Sequence, residues 1–166
     1  MAEFAARLAS AKGLPEIFEL VKDGARVAAG KHRAGLMLGL AEMGVGNGYW
    51  IGAFYTVGTN MIVMNETPWR VVQKTRPKLA NAYAFMVLLH EYLHSLGNLD
   101  EANDRAETVE VCEALFGHES VVTEMAYDVT KFFPELHFAS IYMSPKPNME
   151  IKLVKGFDEG SVDYIA

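Results

Sequence analysis

Cysteine is nearly absent: Cys112 is the single one in 166 residues. No disulfide can close within the chain, and the cytoplasm is the compartment this usage points to. Long hydrophobic runs are missing too. The longest apolar stretches are broken by Gly, Asn or a charge, and none nears the roughly 20 residues a membrane crossing needs. Glu3 and Arg7 fall in the first turns, so no secretion signal is expected. Basic charge is in deficit, with 15 Lys and Arg against 21 Asp and Glu, a formal net charge of -6. That balance argues against nucleic acid or an anionic membrane as the main partner. No low-complexity tract, repeat or linker interrupts the chain. Half of the residues (51%) are hydrophobic, enough to build the core of one domain spanning 1–166. The sequence leaves the oligomeric state open.

Residues 2–11 and 15–29 read as two helices separated by Gly13-Leu14-Pro15, with Ile17, Leu20, Val21 and Val27 recurring at helical spacing. Leucines at 36, 38 and 40 alternate within Gly35–Met43 and predict a strand. Gly44-Val45-Gly46-Asn47-Gly48 lacks the lysine and hydroxyl residue that complete a phosphate cradle, and Tyr49-Trp50-Ile51 follows as strand, so this is a loop. Tyr49–Val57 and Asn60–Asn65 predict two strands joined at Gly58-Thr59. The second is either a core strand or a half-exposed one, able to pair with an extended peptide at the lip of a cleft. A looser segment, 66–78, leads onward. Helices are expected at about Glu101–Phe116, apolar on Ala102, Ala106, Val109, Cys112 and Phe116, and at about Ser120–Phe132. A last strand is expected at Met149–Val154.

Between these lies Leu88-Leu89-His90-Glu91-Tyr92-Leu93-His94-Ser95-Leu96-Gly97. Lys78–Leu96 contains no glycine or proline and is rich in Leu, Ala and Met, while Pro77 and Gly97 stand at its ends, so it predicts a helix. Apolar residues on most of its sides predict a buried one. His90 and His94 then share a face, with their imidazoles aimed at one point, as a tetrahedral zinc ion requires. Glu91 lies about 100° round the helix, placed to take a proton from a metal-bound water rather than to ligate. Two core histidines bonded to carbonyls are the plainer alternative, but the glutamate in its slot favours metal.

This run resembles the active-site helix of the zincin metallopeptidases. Extended to Asp100, it is similar to the longer metzincin pattern, in which a glycine follows the second histidine by three residues and the third ligand comes three later. That resemblance implies an α+β, zincin-like fold in which a small mixed or antiparallel sheet packs on a buried active-site helix, with further helices behind. It implies zinc on His90, His94 and Asp100, and a methionine turn beneath it at Tyr142-Met143-Ser144-Pro145. Gly97 can reverse the chain so that Asp100 reaches back, although Asp100 is equally suited to capping the next helix. Two other sources of the third ligand stand beside it. Glu113 matches the gluzincin-like use of a glutamate from the following helix, and His118 is an imidazole just past Gly117.

The activity implied is zinc-dependent hydrolysis of a peptide or protein substrate with Glu91 as general base. Tyr142, Tyr127 or His137 could steady the oxyanion. The alternative is a zincin-fold binding or regulatory module with structural zinc and little turnover.

Overall fold

The structure, a computed structural model, describes residues 1–156. Two amphipathic helices come first, α1 (Ala2–Ser10) and α2 (Leu14–Ala29). The inward face of α2 carries Ile17, Phe18, Leu20 and Val21, whereas Val27, which the spacing put on that face, is exposed. Strand β1 (Met37–Ala41) follows, then β2 (Trp50–Ile51), β3 (Ala53–Tyr55) and β4 (Met61–Asn65). The stretch expected as one strand from Tyr49 is thus broken at Gly52. A Cβ there would meet Leu136 at 3.0 Å and the Tyr83 hydroxyl at 3.2 Å.

One sheet has the order β3-β4-β1-β6, where β6 is Lys152–Leu153. β1 and β4 run parallel, and the outer pairings are antiparallel. β4 is therefore an interior strand, buried from Ile62 to Asn65, and offers no edge to an added peptide. Its unbroken Met-Ile-Val-Met run is what a strand covered on both faces needs. Alternation sorts the sheet. Leu36, Leu38, Ala53, Tyr55, Ile62 and Met64 face the helical core, while Ala41, Phe54 and Val63 face a smaller cluster that includes Ala139.

The segment after β4 is not loose. Asn65 accepts from the Thr67 N–H and starts α3 (Glu66–Thr75), with Pro68 in its first turn where proline is tolerated. α4 (Pro77–Ser95) then passes through the middle of the molecule, packed by α1, α2, α3, β3, α5 (Glu101–Phe116) and α6 (Val121–Tyr127). A 3₁₀ turn (Val129–Lys131) and β5 (Leu136–His137), which pairs in parallel with β2, complete the order. The described residues thus form a mixed α+β structure of six helices and a small mixed sheet. No helix among them is long and apolar enough to cross a membrane.

Candidate metal centre

α4 ends where its sequence stops being apolar. Gly97, at φ +100°, takes a conformation that side chains resist, and its N–H closes on the His94 carbonyl at 3.0 Å. The reversal brings the first turn of α5 against the last turn of α4. Asp100 caps α5, its carboxylate accepting from the Asn103 N–H at 2.8 Å. The cap sets the phase of the helix, so Glu101 and Asp104, three residues apart, both face the histidines.

His90 and His94 are each 1% exposed. Their Nε2 atoms lie 3.2 Å apart, and each is 3.1 Å from an oxygen of Glu101. Four ligands about 2.0 Å from a tetrahedral ion are separated by about 3.3 Å, so these spacings fit a single ion. On the other side of the rings, Asp104 lies 2.9 Å from His90 Nδ1 and 3.4 Å from His94 Nδ1. His94 Nδ1 is also 2.7 Å from the Asn98 carbonyl. That carbonyl can only accept, so it fixes the ring with its proton on Nδ1 and leaves Nε2 as the free donor atom.

Several of these oxygens are close without being hydrogen-bonded. Glu101 Oε1 and both oxygens of Asp104 are buried and lack a partner in hydrogen-bond geometry. Glu101 thus faces the Nε2 side of the two rings and Asp104 their Nδ1 side, and buried carboxylates of this kind are costly unless a cation or donor meets them. His90, His94 and Asp104 thus form a buried group that could hold a metal ion.

The electrostatics make the site one that attracts positive charge, whether a proton or a cation. Burial alone would lower the His90 pKa, but the Asp104 and Glu101 carboxylates, with Glu91, outweigh it and raise it to about 10. His94 is also raised, its burial overcome chiefly by Glu101 and Asp104. Burial works to raise Glu101, yet the two imidazoles hold it far below the usual carboxylate range. Burial lifts Asp104. It also pushes Glu91, 3% exposed, up to about 7 against the pull of both histidines. Cys112, by contrast, is a buried thiol pushed up to about 12 and chemically quiet.

The carboxylates found against the pair are Glu101 and Asp104, and the three sources weighed for a third ligand have other contacts. Asp100 is engaged as a cap. Glu113 and His118 bind each other at 2.5 Å, and His118 is 74% exposed. Met143 belongs to the cluster on the far face of the sheet, not beneath the histidines. Tyr142 is exposed, Tyr127 donates to Glu113 at 3.0 Å, and His137 stacks on Tyr49 at 4.8 Å. Tyr127 and His137 do line a cleft of about 370 Å³ that His90 opens onto, with Arg105 and Phe138. A larger cavity, about 600 Å³, lies among Glu42, Trp50, Asn65 and Met143 and reaches none of the histidines.

The residues that sequence spacing missed are Glu101 and Asp104. One signal was present. Asp104 and Thr108 take the buried positions of α5 with Val111, Cys112 and Leu115, while Ala102 and Ala106 are exposed. A face that includes a carboxylate at an inward position is not found by looking for apolar residues.

The chain matches no protein-family model, no curated protein and no solved structure. The histidine spacing within His90–His94 and the geometry around it therefore carry the functional reading.

Proposed function

We propose that the chain is a zinc-dependent peptide hydrolase whose metal is held by His90 Nε2, His94 Nε2 and Glu101. The observation that carries this is the convergence of those three groups at 3.1 to 3.2 Å, with Arg105 Nε also 3.5 Å from Glu101 Oε1. Asp104 stands behind His90 at 2.9 Å, as an outer carboxylate that orients a ligating imidazole and raises its basicity. Imidazole and carboxylate ligands accept several divalent ions, and a set of two nitrogens and one carboxylate suits zinc.

His90, His94 and Glu101 would hold the zinc, which would supply a bound water of near-neutral pKa and a Lewis acid for the substrate carbonyl. The chain supplies the rest. Glu91, adjacent to His90 and buried, would take a proton from the attacking water and return it to the leaving amine. Asn98 and Asp104 hold the two rings in place. The zincin resemblance of His90–Gly97 supports the choice of a peptide bond.

A second reading, a binding or regulatory module with structural zinc, is favoured by one observation: Glu91 and both histidines are almost fully covered. Glu91→Gln distinguishes the two. Zinc retained with loss of peptide hydrolysis supports the enzyme, whereas a wild type that binds zinc and cleaves no unstructured protein supports the module.

A further inference from the structure

A hydrolytic centre needs solvent and substrate at its ligands; the Glu101 side chain is 38% exposed, whereas His90, Glu91 and His94 are only 1 to 3% exposed, so the imidazole side is the covered one. The cover comes from far along the chain. The Trp50 N–H donates to the Glu135 carbonyl at 2.8 Å, and Trp50 and Ile51 pair with Leu136 and His137. Further on, the Val57 N–H donates to the Ile141 carbonyl at 3.4 Å, and Thr56 Oγ1 to that of Met143 at 2.5 Å. Residues 135–143 therefore run alongside β2 and past the end of β3, and the side chain they lay on the metal centre is Phe138. Its ring stacks on His90 with centroids 4.2 Å apart and planes at 26°. The Arg105 guanidinium sits 5.0 Å from the same ring.

Phe138 is less buried than its anchoring neighbours. Leu136, Ala139 and Ile141 are buried anchors, whereas Phe138 is only half-buried, with the exposed His137 before it. A swing of this one side chain uncovers His90 while the strand stays paired. The adjoining cleft offers an apolar strip, Met86, Ala126, Val129 and Leu136, beside the polar Arg105, Thr108, Asp128 and Thr130.

We infer that Phe138 is the gate of the metal centre, and that its ring occupies the seat of a large apolar or aromatic side chain of the substrate. The gate rests on the metal site alone, and the seat rests also on the peptidase reading. A ring that must move aside slows both arrival and departure of the metal and leaves affinity unchanged. A ring that merely braces His90 changes affinity through departure alone.

Zinc loading of the metal-free protein, and zinc loss to excess chromogenic chelator, are timed for wild type, Phe138→Ala and Phe138→Leu. Both rates are expected to rise about tenfold in Phe138→Ala and less in Phe138→Leu, at constant affinity. Phe138→Leu retains apolar bulk and carries the test if the alanine variant does not fold. Faster loss with unchanged loading, or no change in either rate, overturns the gate. Wild type is then given paired peptides differing in phenylalanine or glutamine beside one bond. Preferred cleavage next to phenylalanine is expected. Equal cleavage of both overturns the seat, and cleavage of neither, with the metal rates still responding, overturns the peptidase reading and leaves the gate standing.

Discussion

Asp104→Asn isolates what a buried carboxylate does one step behind the metal. Asp104 is fully buried, 2.9 Å from His90 Nδ1, and neither of its oxygens is otherwise hydrogen-bonded. Its effect therefore passes through the two rings it faces, His90 foremost. Asparagine keeps the shape and one acceptor oxygen but removes the charge that raises His90. Loss of such an outer partner typically weakens metal binding about 10- to 100-fold, which is about 1.4 to 2.7 kcal/mol. Competition titration against a chromogenic zinc chelator reads this directly. Because zinc stabilises the folded state by mass action, the melting-temperature rise at fixed zinc should shrink in step. Unchanged affinity would show the contact to be idle. A loss beyond about a thousandfold would exceed an outer-partner effect and make Asp104 itself a ligand.

Glu91→Gln should retain zinc and lower turnover by at least about 100-fold, the usual reach of general-base catalysis, measured on a quenched-fluorescence peptide mixture. Asp100→Ala should keep its metal and lose about 1 kcal/mol in urea unfolding, since Asp100 caps α5. Leu93→Ala should cost about 2 to 5 kcal/mol in the same assay, because Leu93 is completely buried in α4. Chelation of the metal should lower the melting temperature of the wild type, and re-addition of zinc should restore it, followed by circular dichroism.

The legible parts of the sequence were those where one physical cause dominates. α4 could be found because nineteen residues with helix-forming side chains lie between Pro77 and Gly97, and the histidine pair because helical spacing alone aligns it. α3 was hidden by its charged surface and by Pro68, whose acceptability depends on falling in the first turn. The place of β4 inside the sheet depends on its parallel pairing with β1 across the intervening chain, which no local pattern encodes. Asp100 and Glu101 show the limit most sharply. They are adjacent, both carboxylates, and separated in role only by the phase of the helix they begin. Phe138 reaches His90 from 48 positions away, a contact set by where β5 docks.

The most direct measurement is the zinc content of purified wild type beside Glu101→Ala, Asp100→Ala and His118→Ala, by mass spectrometry of the metal. Near-stoichiometric zinc in wild type, Asp100→Ala and His118→Ala, with its loss in Glu101→Ala alone, is the predicted result. Zinc retained by Glu101→Ala but lost from Asp100→Ala or His118→Ala would contradict the site described, and a wild type that holds no metal after growth with ample zinc would contradict it altogether.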